Sequence, residues 1–305
     1  MITGATKPGS DYFLDGLNSI RNKEALTERQ ISSGYRIQTA ADSPTEITDL
    51  VRLNGQLAAN QTQTQNFGRL STELQSADQG ISTVISAVES AKTLGLQGGT
   101  ATSTADSRQA IAAQVQGLIS QVVGVANTSV EGRYIFAGDS DTVTPYQSDS
   151  SSAFGYSYQG AASSTRQVLD GTGHSLYAAA TAQQLFDHRD TSGQPDASSV
   201  LTGLQNLVTA LQSNTGIDTA VSSLETASTY LNGQLSQVGT SEQELTAAQN
   251  LAATQKTDLQ TALSGIRDTD ISQAAIDLNT EKVAESAAVA AEGGGSQKTL
   301  FDYLG

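Results

Sequence analysis

Residues 221–266 read VSSLETASTYLNGQLSQVGTSEQELTAAQNLAATQKTDLQTALSGI, and the apolar spacing of this stretch decides the fold. Val221, Leu224, Ser228, Leu231, Leu235, Val238, Glu242, Leu245, Gln249, Ala252, Lys256, Leu259, Leu263 and Ile266 alternate at steps of three and four. Such spacing lines one stripe of a helix, and its period near 3.5 is that of a coiled-coil seam. No proline interrupts it. Ser228, Glu242, Gln249 and Lys256 place polar groups on the seam, which costs stability and can fix register. Periodicity alone leaves open a coiled coil or a long bundle helix, but it excludes a disordered Ser/Thr-rich chain.

Working outward, the same spacing recurs from Leu50 through Leu53 and Leu57, polar Asn60 and Thr64, to Phe67. The phase slips at Leu70, a stammer-like skip, and resumes through Leu74, Ala77, Ile81, Val84, Val88 and Ala91. The Gly/Thr-rich run 98–104 ends this helix. Ile111, Val115, Leu118, Val122 and Val125 mark a second helix, and so short a break makes the two antiparallel neighbours.

Between the helical halves the texture changes. Tyr134, Ile135 and Phe136 open a run closed by Gly138 and Asp139; Phe154, Tyr156 and Tyr158 alternate at period two. Arg166 to Leu169, then Asp170-Gly171, then Leu176-Tyr177, reads as a hairpin with a turn dipeptide. The expected fold is therefore mainly α: a long antiparallel coiled-coil helical rod formed by the N- and C-terminal halves, with a small β-rich inserted domain. The corresponding segments are 1–42, a terminal segment; 43–131, the first half of the rod; 132–200, the insert; 201–268, the second half; and 269–305, the other terminal segment.

The termini are amphipathic but weak. Phe13, Leu17 and Ile20 share one face, as do Ile271, Ala275 and Leu278, ahead of Leu300, Phe301 and Leu304. Neither end buries enough to offset its ordering entropy, so both are expected to be loose alone and helical on assembly. Gly293-Gly294-Gly295 weakens the last helix, at about 1 kcal/mol per Gly relative to Ala, which leaves a hinge there and an unbroken helix as equal alternatives.

Composition agrees with long helices packed through small residues. The 305-residue chain is 37% hydrophobic but 5% aromatic, with no Trp and one Met. Only 15% of residues are charged, well below the usual quarter or so, so polar faces can pack together without desolvating many ions. A net charge of −15 and no Lys/Arg cluster set nucleic-acid binding aside. No run of 18 apolar residues argues for membrane insertion, and the first ten residues lack the apolar segment of a signal peptide. Without cysteine there is no disulfide, thiolate metal site or cysteine nucleophile. These absences fit a cytosolic protein, and equally one exported unfolded by a signal-free route.

Four segments carry a family resemblance. Ile31-Ser32-Ser33-Gly34-Tyr35-Arg36-Ile37 leading to Asp42 resembles the N-terminal motif of the flagellin superfamily. Its physical sense is a reversal at Gly34, followed by Asp42 or Ser43 capping the next helix with Pro44 as its first residue. Gly132-Arg133-Tyr134-Ile135-Phe136-Ala137-Gly138 is similar to the stretch that enters the middle domain of the superfamily's hook-filament junction branch. Tyr158-Gln159-Gly160, Arg166-Gln167-Val168 and Gln184-Leu185-Phe186 follow that domain's pattern. Thr299-Leu300-Phe301-Asp302-Tyr303-Leu304 resembles the branch's closing segment. Pro44, where flagellin itself usually has Ala, also favours the junction branch.

The resemblance implies a structural subunit of the bacterial flagellum, extracellular, exported unfolded without a cleavable signal peptide. It implies a ring of about eleven copies set between hook-associated protein 1 and flagellin, and a cytoplasmic chaperone holding the C-terminal region before export. The implied assembly residues are Phe13, Leu17, Ile20, Gly34, Arg36, Ile271, Leu278, Leu300, Phe301, Tyr303 and Leu304. The rod seam is taken to comprise Leu53, Leu57, Leu74, Ile81, Val88, Leu224, Leu231, Leu235, Val238, Leu245, Leu259, Leu263 and Ile266. Arg36 and Arg133 are either partners in ion pairs between subunits or solvated surface arginines.

The catalytic inventory is thin, and no cofactor is expected. His174 and His188, the only histidines, are expected to be solvated or locally bonded. His188-Arg189-Asp190 matches a kinase tripeptide without its companion motifs, and the run 155–160 misses the nucleophile-elbow spacing. Asp139-Ser140-Asp141 opens like a calcium loop, but Val143 and Thr144 stand where a ligand and Gly belong. The sequons at Asn60 and Asn127 lie in predicted helix. Flagellin itself is the alternative reading, and a secreted coiled-coil effector or adhesin a more distant one. An enzyme lacks a paired catalytic constellation.

Overall fold

A computed structural model describes residues 8–295 apart from 153, 171, 172 and 174. Among the described residues seven helices and six short strands follow one another. α1 is Pro8–Ser33, α2 Ile47–Gly98, α3 Ala105–Ala126, α4 Ala182–Phe186, α5 Val200–Ser213, α6 Ile217–Arg267 and α7 Ile271–Gly295. The strands β1 (Ser129–Val130), β2 (Arg133–Tyr134), β3 (Tyr146–Ser148), β4 (Tyr156–Tyr158), β5 (Gln167–Leu169) and β6 (Ser175–Ala178) lie between α3 and α4. The protein is mainly α with long antiparallel helix packing and small sheets in its middle region. It divides into two units, residues 61–254 and residues 1–60 with 255–305.

In the 61–254 unit, α2 presents a broad face. Leu74, Ile81, Val84 and Val88 are fully buried, in one cluster with Val115 and Val122 of α3, Leu204, Leu207 and Leu211 of α5, and Leu224 and Leu231 of α6. A Cβ placed at Gly80 would lie 3.0 Å from Val125, and one at Gly98 would lie 3.7 Å from Ile111. α2 and α3 are therefore antiparallel and close. Their junction is sealed by Thr104, whose hydroxyl accepts from the Ser107 amide, the usual N-cap arrangement.

The C-terminal half holds two helices where one long periodicity is most conspicuous. α5 starts at Ser199, whose Oγ accepts from Thr202 N, and stops at Asn214, which takes φ +57. Gly216, also left-handed at φ +74, completes the turn into α6. Asn and Gly adopt this conformation at little cost, which makes them helix terminators.

Each pair of consecutive strands forms an antiparallel hairpin. Tyr156 and Tyr158 pair with Ser148 and Tyr146, whereas the Tyr134-Ile135-Phe136 run is strand only at Tyr134. Ile135 and Phe136 instead turn into the helical core, where Phe136 meets Phe186 edge-on at 5.6 Å. β5 and β6 pair with a register shift at Val168/Leu169, and Gly171 of the expected turn dipeptide lies outside the described residues. The β3–β4 and β5–β6 hairpins share the bundle's core: Tyr146 and Leu176 belong to its cluster.

In the other unit, Ile37, Leu50, Leu53 and Leu263 form a small buried cluster, flanked by Ile47, Leu259 and Ile266. α1 packs against α7. α7 is helical through Gly293 to Gly295, and the residues that follow the glycines lie outside the described ones. Being exposed, Gly293 lacks only the propensity of a better helix former, a cost on the order of 1 kcal/mol that the preceding helix can absorb.

Candidate assembly interface

The Gly34–Asp42 motif folds as an elbow at the C-terminal end of α6. α1 ends at Ser33, and Gly34 takes φ +75, a left-handed residue that lets the chain reverse. The reversed chain bridges the opposite segment: Tyr35 pairs with Asp268. Arg36 N and Ile37 N both donate to the Arg267 carbonyl, at 2.7 and 3.3 Å, and Thr269 N donates to Gly34 O at 2.9 Å. A helix leaves its last carbonyls without intrahelical donors; here the elbow supplies them.

Arg36 completes the arrangement. Its Nη2 donates to the Ile266 carbonyl at 2.7 Å and to Glu46 Oε2 at 2.8 Å. The guanidinium thus caps α6, favourable at the negative end of the helix dipole, while tying it to the start of α2. Ser43 donates to the same Glu46 carboxylate at 2.8 Å. This bond and the Arg36 contact hold the Glu46 pKa below the ordinary carboxylate range. Arg267 lies 4.1 Å over the Tyr35 ring, in cation–π geometry.

Asp42 does not cap α2. Its carboxylate accepts from Thr39 N at 2.7 Å and Gln38 N at 2.9 Å, closing the loop on itself. These two backbone donors lower its pKa. α2 instead follows a turn at Ser43, whose carbonyl accepts from Glu46 N and Ile47 N, so Pro44 sits ahead of the helix. The pattern Ser43-x-x-Glu46 is a helix-start signature and was the available signal for Glu46. Nothing local in the sequence points to Tyr35, Arg267 or Asp268.

Of the other implied assembly residues, Phe13, Leu17, Ile20 and Leu278 are half-buried and Ile271 is exposed. Leu300, Phe301, Tyr303 and Leu304 lie outside the described residues. The buried line along α1 and α7 is narrow and partly polar. Arg21 pairs with Glu285 at 2.7 Å and Lys282 with Glu28 at 3.4 Å, while Thr27 donates to Glu281 at 3.4 Å. Surface pairs of this kind contribute about 0–1 kcal/mol each. Large apolar side chains remain outside the line: Tyr12 is 79% exposed and Val283 69%, with Leu14, Ile276 and Val289 also exposed.

The seam residues fall into both apolar clusters. Leu53 and Leu263 are buried in the smaller one, with Leu259 and Ile266 against it. Leu74, Ile81, Val88, Leu224, Leu231, Val238 and Leu245 are buried in the larger one, with Leu235 packed on it. Leu57 is half-buried. Among the polar seam positions, Ser228 is buried and donates to Glu89 at 2.9 Å, whereas Lys256 is exposed.

The remaining chemical candidates have local partners. Arg133 pairs with Asp141 in its own chain. Asp139 accepts from the Thr165 amide and hydroxyl. No cluster of His, Asp or Glu able to hold a metal occurs among the described residues. His188 Nδ1 lies 2.8 Å from Asp196, and His174 lies outside the described residues. Asn127 is the C-cap of α3, not within it; its amide donates to Tyr146 O and accepts from Tyr146 N.

Two helical end regions flanking a middle section define a class, and comparison with known families agrees. The model of the bacterial flagellin N-terminal helical region matches residues 14–141, and that of the C-terminal helical region matches residues 221–293. The chain belongs to the flagellin family. Its curated relatives include flagellar hook-associated protein 3 of Escherichia coli K12, 26% identical over 248 residues, covering 76% of each chain. The Salmonella typhimurium LT2 protein of that name is 26% identical over 221 residues, 70% of this chain and 65% of the relative. Among solved structures, a flagellar hook-associated protein from Vibrio parahaemolyticus superposes with TM-score 0.64 at 18% identity, over 74% of this chain and 100% of that one. Bacillus cereus FlgL gives 0.54 at 20% identity, over 70% and 99%.

Proposed function

We propose that this chain is a non-enzymatic subunit joining the flagellar hook to the flagellin filament, assembled through its terminal helices. The observation that carries the reading is the unfinished α1–α7 pair. Tyr12, Leu14, Ile271, Ile276, Val283 and Val289 are large apolar side chains left exposed on two paired helices. Neighbouring copies, hook-associated protein 1 on one side and flagellin on the other, would cover them, in a ring of about eleven by resemblance. The relatives' name, flagellar hook-associated protein 3, supports the same reading. In this reading the chain leaves the cell unfolded. The segment around Leu300, Phe301, Tyr303 and Leu304 meets a cytoplasmic chaperone before export. The elbow around Gly34 and Arg36 then fixes the return of the chain beside α6.

The test is deletion of the gene in its host, with electron microscopy of the cells and assay of the medium for flagellin. Hooks without filaments, with monomeric flagellin shed, is the expected outcome; intact filaments would overturn it. A second reading, the filament subunit itself, is favoured by the matched regions being described as flagellin regions. It predicts long filaments when the purified chain polymerises alone, where the first predicts short polymers or none.

A further inference from the structure

Beside its seam, α6 carries a second stripe. Tyr230, Gln234, Gln237 and Ser241 succeed one another at steps of four, three and four, and all line a cleft of about 360 Å³ within the 61–254 unit. Ala180 and the Tyr230 ring, both half-buried, give the cleft its accessible apolar surface, above the buried Ile81, Phe136 and Leu185. One end is walled by His188, whose ring centroid lies 4.9 Å from that of Tyr230. Asp196 engages Nδ1 of His188, leaving Nε2 for another partner. The Tyr230 hydroxyl donates to the Gln184 carbonyl at 2.9 Å, which fixes the aromatic ring.

Apart from the Tyr230 hydroxyl, the stripe's polar side chains make no hydrogen bond among the described residues. Ser236 and Thr240, on the outer side of α6, return their hydroxyls to carbonyls one turn back. Among the described residues, no hydrogen bond engages the amides of Gln234 or Gln237. The lining contains no Asp, Glu, Lys or Arg, although the chain has 31 acidic and 16 basic residues.

We propose that this cleft binds a neutral saccharide of one or two rings. A glutamine amide presents a donor and an acceptor side by side, which matches vicinal hydroxyls, each of them both donor and acceptor. The half-buried Tyr230 ring and Ala180 suit the C–H face of a sugar ring. A charged ligand would find no counter-charge to offset its desolvation. An extended peptide would need a row of backbone partners along a free edge, whereas the unsatisfied groups here are side-chain amides from one helix. The volume falls in the range of small-ligand sites, about 300–1,000 Å³.

The inference rests on the cleft alone, independently of the assembly role. The test is calorimetric titration of the purified full chain with maltose, lactose and N-acetylglucosamine, using glucuronate and a neutral Ala-Ser repeat peptide as counter-probes. At least one neutral sugar is expected to saturate. Its affinity should fall at least about tenfold in Gln234→Leu and Gln237→Leu, the effect of losing a satisfied polar contact, with the thermal melt unchanged. Should either variant fold poorly, Ser241→Ala takes its place. Absence of binding by all three sugars, saturation by glucuronate or the peptide alone, or unchanged affinity in the folded variants would overturn the proposal.

Discussion

The two units are built from the same kind of helix and held together by different means. In residues 61–254, α2 buries Ala77, Ile81, Val84, Ala87, Val88 and Ala91, a stripe wider than a two-helix seam, because α3, α5 and α6 all pack on it. In the unit of residues 1–60 and 255–305, α1 and α7 bury one narrow line and leave Tyr12 and Val283 in solvent. The difference lies in the number of neighbours more than in the period of the sequence. A 3/4 repeat can be completed within one chain or left for a second chain to complete.

Core truncation should separate the units most sharply. Leu224 is fully buried beside Gly203, and Leu224→Ala should cost about 2–5 kcal/mol, the usual range for a buried leucine. Leu278 is half-buried, and Leu278→Ala should cost no more than about 1 kcal/mol. Guanidinium unfolding followed by far-UV circular dichroism measures both. Equal losses would mean that the terminal pair is as fully packed as the bundle.

A single helix offers the next comparison. At Gly95 in α2 an added Cβ would lie 2.7 Å from Val221 and 3.0 Å from Leu207. Overpacking of about 1–3 kcal/mol should outweigh the gain of about 1 kcal/mol in helix propensity, so Gly95→Ala lowers the melting temperature. Gly55, on the same helix, is exposed with nothing within 4 Å. There the propensity gain stands alone, and Gly55→Ala should raise the melting temperature. Two shifts of the same sign would contradict the contrast in packing.

Much of this architecture was legible because helical period is a local property. The seam from Val221 to Ile266 needs no partner to be seen, and the Gly/Thr run at 98–104 coincides with a real helix end. The stop at Asn214 is also a local signal, a helix-terminating Asn with Gly216 two residues on, though the heptad pattern begins only at Val221 and does not reach it. Strand pairing was less accessible. Tyr156 and Tyr158 alternate visibly, whereas their partners Tyr146–Ser148 hold only one aromatic. At the elbow, Gly34 and Arg36 stood out through a motif, but the Ile266 carbonyl that Arg36 caps lies 230 residues away. A backbone acceptor at a helix end has no side-chain signature at all.

Arg36→Ala removes that cap while sparing the backbone bonds of the elbow. Both charged partners are partly exposed, 42% for Arg36 and 37% for Glu46, so solvent screens the pair. The loss should be about 1 kcal/mol, mostly from the carbonyl left without its donor. Amide exchange should accelerate at Arg267–Thr269 and around position 36, with bundle amides such as Leu207 and Leu224 unchanged. Acceleration throughout the bundle would show that the elbow stabilises more than its own unit.

The smallest effects, those of acidification, should have opposite signs at Asp42 in the elbow and Glu73 in the bundle. Asp42 has its pKa lowered by amide donors from Thr39 and Gln38. Its contribution is present above the ordinary carboxylate pKa of about 4 and is lost as pH falls through its own lower value. Glu73, in the bundle, has its pKa raised by burial, only partly opposed by Arg166, which donates to its two oxygens at 2.6 and 2.7 Å. A raised carboxyl pKa means that the folded state binds the proton more tightly than the unfolded one. Ionising Glu73 therefore costs stability as pH rises through its value, and acid relieves that cost. Carboxyl chemical shifts followed by NMR from neutral pH downward should show Glu73 titrating before Asp42. Glu73→Gln should abolish the first transition and leave the second in place. Coincident titrations would place both carboxyls in equivalent surroundings, against the burial that separates the bundle from the elbow.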